Sequence, residues 1–299
     1  MSISSLCDML GYSKQAYYKG LHQMEKEKLK EDLIIELIKK KRQIWKKGSG
    51  RNLFASLQSD FKEHTLKIGR DKFYDILRSN RLLIKNRKRK VNTTNSYHHF
   101  KKYPNIIKGI SPIKPGQIIV SDITYIWIKE IENFAYLFLI TDVYSRKILG
   151  YCISNNLKAS SAVIALKMAI KQLPAPIESI HHSDRGIQYC CFEYTEILKK
   201  NQIKISMTEN GDPLENAIAE RVNKTIKEEF TYAKTLSFKT FNQARMEIPK
   251  FIKFYNQQRP HRSIDMLTPM EAFNMTGELK RRWKTYYRQK DKIVEGDFF

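Results

Sequence analysis

Three short runs of β-branched and aromatic residues follow one another in mid-chain: Gln117 to Trp127, Ala135 to Ile140 and Lys147 to Ile153. Each reads as a strand, and three in succession form a meander. The pattern then changes. Residues 158–173 set Val163, Leu166, Ile170 and Leu173 at helical spacing, and Ile177 to Ser183 is a fourth strand ending at Asp184-Arg-Gly186. A helix over 191–200 precedes a short fifth strand, Ile203 to Met207. Strands first, then helix alternating with strand, predict a mixed-sheet α/β domain with helices on its faces.

Within this frame three acids stand out. Asp122 shares a strand face with Ile118 and Val120, where an unpaired carboxylate is costly. Asp184 ends the fourth strand. Glu220 falls in Asn216 to Lys227, which the loop Thr208 to Pro213 leads into. At a hundred degrees per residue, Ile218, Ala219, Val222, Ile226 and Phe230 share one side of that helix, and Asn216, Glu220, Asn223, Lys224 and Lys227 the other. Lys227 lies two turns past Glu220, about 10 Å along the axis. Alone, such a stripe is an ordinary solvated face. Three acids meeting at a sheet edge, however, repel each other unless divalent cations sit between them. Hard oxygen donors favour Mg²⁺ or Mn²⁺, and two such ions support in-line phosphoryl displacement. Asp142 reads as a turn residue pairing with Arg146. Glu215, Glu228 and Glu229 remain rivals to Glu220 on residues alone.

Charge points to the partner. The 299 residues carry 54 Lys and Arg against 31 Asp and Glu, a net charge of +23. Residues 1–110 hold 26 basic and 10 acidic residues, and residues 111–299 hold 28 and 21. A polyanion gripped mainly by the front third is the natural reading. There, residues 4–20 outline two short helices around Gly11-Tyr12, with Ser13 as N-cap. A longer amphipathic helix follows, with Leu29, Leu33, Ile34, Leu37, Ile38, Ile44 and Trp45 on one side, broken at Lys47-Gly-Ser-Gly50. Asn52 to Phe61 and Asp71 to Leu77 give a second, more persuasive helix-turn-helix outline. It runs into a stretch with seven basic residues in thirteen, Arg78, Arg81, Lys85, Arg87, Lys88, Arg89 and Lys90, suited to lying along phosphates.

The expected domains are a helix-turn-helix-like segment at 1–22, a helical DNA-binding region at 23–90, a linker at 91–112, the catalytic core at 113–276 and a basic aromatic tail at 277–299. The tail carries Trp283, Tyr286 and Tyr287, which could stack on DNA or dock on the core. Phe134 to Ile140, the longest apolar run, is far too short to span a bilayer. Cys7, Cys152, Cys190 and Cys191 form no C-x-x-C pair, so neither structural zinc nor a disulfide framework is expected, and a reducing cytosol fits. No Ser-His-Asp or Cys-His arrangement is present, and metal-assisted phosphoryl transfer needs none.

Five motifs occur in order: Ser121-Asp122-Ile-Thr-Tyr-Ile126, Tyr144-Ser-Arg-Lys-Ile-Leu-Gly150, His182-Ser-Asp184-Arg-Gly-Ile-Gln-Tyr189, Asn216-Ala-x-x-Glu220 and Tyr255-Asn-x-x-Arg-Pro-His261. Together they resemble the IS-three-type insertion-sequence transposases of the retroviral-integrase superfamily. Thirty-five residues separate Asp184 from Glu220, and a lysine follows seven after the glutamate, as in that family's D-D-E pattern. The resemblance implies an RNase H-like core behind an α-helical helix-turn-helix region. It makes Asp122, Asp184 and Glu220 the catalytic residues and the ligands of two Mg²⁺ or Mn²⁺ ions. Lys227 would contact DNA near the scissile phosphate. Lys224, Asn216 and the basic run from Arg78 to Lys90 are further expected DNA contacts. The activity implied is cleavage of insertion-sequence ends and transfer of the 3′-hydroxyl to another strand. The implied partners are terminal inverted repeats, target DNA, further copies in a synaptic multimer, and an upstream-frame product, with no membrane. The implied setting is the bacterial cytoplasm, at the nucleoid. A non-catalytic DNA-binding regulator, or a nuclease without strand transfer, would keep many of the same motifs. His181 and His182 are expected to orient or pack near Asp184, and His261 to contact phosphate or close a helix-end turn.

Overall fold

A computed structural model describes residues 3–84, 99–174, 178–209, 216–231 and 238–280. The meander forms as the sequence predicts. Strands β1 (Ile118–Ile128), β2 (Asn133–Asp142) and β3 (Ile148–Ser154) pair antiparallel, while β4 (Ile180–Ser183) and β5 (Lys204–Met207) add in parallel beyond β1. The sheet order is β3-β2-β1-β4-β5. This mixed five-stranded sheet is the RNase H-like arrangement that the motifs imply. It places β1, which carries Asp122, beside β4, whose end carries Asp184.

Helices cover both faces. Helix α6 (Ala159–Ile170) packs on β3 and β2 through Ala162, Ala165, Leu166 and Ala169. Its approach depends on Gly150, where an added Cβ would sit 2.0 Å from the Ala165 carbonyl oxygen. Helices α7 (Ile187–Cys190) and α8 (Phe192–Lys200) complete that side; Cys190 is buried and Cys191 takes the N-cap position of α8. The four cysteines are free thiols. Helix α9 (Ala217–Ile226) packs across β1, and α10 (Phe241–Gln257) and α11 (Pro269–Phe273) follow. Asp142 does what a turn acid should. It accepts bonds from Gly116 N (2.8 Å), Ser145 N (2.7 Å) and Ser145 Oγ (2.5 Å).

The front region departs from its sequence outline. Helix α1 (Ile3–Met9) turns at Gly11 (φ +69°), and Ser13 Oγ caps the next helix by accepting from Ala16 N at 3.1 Å. That next helix does not stop. Helix α2 runs unbroken from Lys14 to Ile44, because charged residues able to pair along its surface carry the helix through Gly20. Leu29 and Ile44 on its expected apolar side are exposed, whereas Ile34, Leu37, Ile38 and Trp45 are buried. Helices α3 (Gly50–Ser56), α4 (Gln58–Glu63) and α5 (Arg70–Ser79) then fold against one another through Leu53, Phe61, Phe73 and Leu77. The same apolar cluster continues into Val222, Ile226, Phe251 and Phe254, so the front helices and the sheet domain share one core.

Part of the expected linker is also engaged. Met207 N donates to Pro104 O (3.3 Å) and Ile106 N to Ser206 Oγ (3.1 Å), laying residues 104–106 along β5. Residues 91–98 of that linker, with Lys85, Arg87, Lys88, Arg89 and Lys90, lie outside the described residues, as do 281–299 of the tail.

Candidate active site

The three acids come from β1, the end of β4 and the first turn of α9. Ala219 lets α9 lie close on Ile118 and Val120 of β1, and the small side chain at that position is what makes the approach possible. Asn216, at the head of the helix, is buried and donates from Nδ2 to the Ser121 carbonyl at 3.1 Å. That bond ties the head of α9 to β1 at a residue expected as a DNA contact. Asn223, read from the sequence as part of the polar stripe, is also buried, because that stripe faces the point where Asp122 emerges.

Asp122 is held from both sides. Its Oδ1 accepts from Ile123 N (2.8 Å) and its Oδ2 from Asn223 Nδ2 (2.7 Å). Even so, its pKa rises from an ordinary 3.8 to about 7. Burial is the main cause, followed by repulsion from Asp184; the two hydrogen bonds oppose the rise, and Glu220 adds a smaller repulsion. Asp184 is half-buried, with Oδ1 accepting from Gly186 N at 3.0 Å. Glu220 is exposed. The three carboxylates thus feel one another, yet no group of three His, Cys, Asp or Glu among the described residues is drawn tightly enough to hold a metal ion as it stands.

The cations are arranged in sequence along the helix. Lys227 is half-buried; burial lowers its pKa and the Asp122 charge opposes that shift. Lys224 is exposed and pairs with Glu228 at 3.6 Å. Arg78 pairs with Asp75 at 2.5 Å, and Arg81 is exposed in the left-handed region (φ +54°). Glu228 and Glu229, the rivals to Glu220 within the described residues, are both engaged elsewhere; Glu229 forms an ion pair with Arg259 at 2.5 Å.

The histidines support the sheet. His181 Nε2 lies 2.7 Å from Ser121 Oγ and 2.9 Å from Tyr194 OH. Burial, with His182 adding to it, pushes its pKa down to about 3, so it stays neutral. His182 Nδ1 meets Ser206 Oγ at 2.9 Å. His261 is buried in the turn after α10 and takes a bond from Arg259 Nη1 at 2.9 Å. It closes that turn, the second of its two expected roles.

Two residues went unassigned in the sequence. Asn223 lies three positions past Glu220, one turn along the same stripe, and that spacing was the available signal. Tyr189 is buried in the Asp184 motif, its pKa driven up by burial and by the Asp122 and Asp184 charges. Nothing in the sequence separates it from a packing tyrosine.

Similarity to known proteins follows the same ground. Residues 112–213 match the integrase core domain family, and residues 201–269 match a second family of that description. An uncharacterized 31 kDa protein of insertion element IS600 from Shigella sonnei is 31% identical over 88% of this chain and 96% of its own length. The transposase of insertion sequence IS904 from Lactococcus lactis is 33% identical over 56% of this chain, and that of IS629 from Shigella sonnei 29% over 62%. The chain spans 66% and 61% of those two transposases. Among solved structures, the HTLV-2 integrase catalytic core is 18% identical over 55% of this chain and 99% of that one, with a TM-score of 0.43. No helix among the described residues is long and apolar enough to cross a membrane. The chain belongs to the insertion-sequence transposases, DNA transposases of the integrase superfamily that carry the D-D-E polynucleotidyl-transferase core.

Proposed function

We propose that Asp122, Asp184 and Glu220 are the catalytic ligands of two divalent cations, Mg²⁺ or Mn²⁺, with which the chain cuts the ends of its own element and joins the freed 3′-hydroxyl to another strand. The observation that carries this reading is Asp122. It is a half-buried, desolvated carboxylate with a pKa near 7, repelled by Asp184 and Glu220. Carboxylates that repel one another in this way suit a divalent cation between them, and all-oxygen donors suit a hard one. The fit is one of donor chemistry, with the Asp184 and Glu220 carboxylates close enough to Asp122 to raise its pKa. When bound, such ions supply charge neutralisation at the attacking and leaving oxygens.

The chain's own residues set the rest. Asn223 fixes the orientation of Asp122 through its 2.7 Å bond to Oδ2, and Oδ1 accepts from the Ile123 backbone amide. Gly186 N holds Asp184. Lys227, two turns beyond Glu220, offers a partly desolvated cation to a DNA phosphate near the scissile one, and Lys224 a solvated one. Arg78 and Arg81 extend the phosphate track from α5, whose helix pair reads the terminal inverted repeats, and the basic residues to Lys90 add further phosphate contacts. Two ends must be held together for strand transfer, so the working form is a multimer, joined where needed by an upstream-frame product.

The test is end cleavage and strand transfer with Mg²⁺ on an oligonucleotide carrying the element end, comparing wild type with Glu220→Gln. Cutting by wild type alone, followed by joining, supports the reading. Equal cutting by both overturns the catalytic assignment. Binding without cutting favours a regulator, and cutting without joining a nuclease.

A further inference from the structure

The last motif, Tyr255-Asn-x-x-Arg-Pro-His261, is not used by the chemistry above, and its polar side chains are buried. Asn256 clamps β3, accepting from Ile148 N and donating to Ile148 O, both at 2.9 Å. Arg259 grips Glu229 with two bonds, Nε to Oε2 at 2.8 Å and Nη2 to Oε1 at 2.5 Å. Glu229 lies in the π-helical turn Lys227–Thr231 that continues α9 without a break. The other carboxylate partner comes from the front of the chain. Trp45, at the end of α2, is fully buried and donates its indole N–H to Glu229 Oε2. Lys47 N reaches the Glu229 carbonyl at 3.2 Å. Phe254 lies against the indole at 5.2 Å, and an added Cβ at Gly48 would meet it at 2.3 Å, so the ring has no room to shift.

One carboxylate therefore joins three bodies: the end of α2, the helix bearing Glu220 and Lys227, and the sheet by way of Arg259. Helices α3 to α5 share a core with that end of α2. We propose that the Trp45–Glu229–Arg259 node is the joint that fixes how far the sequence-reading helices stand from the carboxylates, so that the cut falls at one phosphate. This rests on the reading above, in which the front helices recognise the element end. Trp45, Glu229 and Arg259 are positioning residues, since none touches the reacting atoms.

The node predicts a loss of precision as well as of rate. On an end-labelled element-end duplex, the full-length protein cuts at one phosphate. Trp45→Phe keeps a ring in the pocket but removes the N–H, and product cut one or more nucleotides away rises about tenfold, the equivalent of one charge-assisted hydrogen bond. Arg259→Lys behaves likewise, with melting curves confirming that both variants fold. Cutting by the variants at the same single phosphate, at whatever rate, overturns the proposal. A second readout does not need cutting. Aminooxy spin labels condensed with p-acetylphenylalanine placed at position 72 on α5 and position 221 on α9 should report one narrow distance in the otherwise wild-type chain and a broadened one with Trp45→Phe. Equal widths overturn the joint even if cleavage fails, and failure of wild type to cut with widths that differ counts against the catalytic reading alone.

Discussion

Two acids on or beside the same helical rod meet opposite fates. At the head of α9, Asp122 sits half-buried beside two other carboxylates, held by a backbone and a side-chain amide, and its pKa climbs to about 7. At the foot, Glu229 is equally enclosed but is matched by Arg259 and Trp45. Burial alone does not mark a reactive acid. What separates the two is compensation: the foot is electrostatically matched, and the head, on the reading proposed above, is matched by a bound cation.

The most severe way to break this contrast is at the head. Asp122→Asn, Asp184→Asn or Glu220→Gln should each lower end cleavage on the order of a thousandfold, since several kcal/mol of charge stabilisation is lost. Cleavage rates measured at saturating DNA check this. At the foot, Arg259→Met leaves Glu229 buried without its partner and should cost roughly 3–5 kcal/mol of stability by urea unfolding. Asp122→Asn should do the reverse in metal-free buffer. A carboxyl whose folded pKa lies above its unfolded value stabilises the fold only while protonated, so this contribution is full below about pH 4 and is lost as pH rises through about 7. Metal-free wild type should therefore lose on the order of 2–4 kcal/mol over that window relative to Asp122→Asn, and Mg²⁺ should restore much of it at pH 7.5 in wild type only.

Smaller effects sharpen the comparison. Asn223→Ala should reduce cleavage roughly 10- to 100-fold, the range for groups that orient a metal ligand, while DNA affinity by fluorescence anisotropy stays unchanged. Lys224→Ala, solvated and salt-bridged, should weaken binding by no more than about 1 kcal/mol and lower the salt slope by about one.

Much of this was readable from residues. The three strands declare themselves because β1 to β3 are sequential neighbours, and their pairing needs no distant information. Asp122 stands out because a carboxylate inside an apolar strand has few structural uses, whereas Glu220 is singled out from its neighbouring acids only by the family resemblance. The burial of Asn216 and Asn223 was not legible. Helical periodicity gives the angle of a side chain around its axis but not which neighbour lies at that angle, and their neighbour, β1, is roughly a hundred residues upstream. The node at Glu229 was hidden for the same reason, with partners 184 residues before and 30 after. Helix α2 ran longer than expected because Gly20 alone is too weak a breaker.

The central claim is that the head of α9 is a metal site, and Mn²⁺ binding to the end-bound full-length protein, followed by electron paramagnetic resonance, addresses it directly. Wild type should bind Mn²⁺ tightly, and Asp122→Asn and Glu220→Gln should each abolish that binding while still holding the DNA. Unchanged Mn²⁺ binding in both variants would contradict the account.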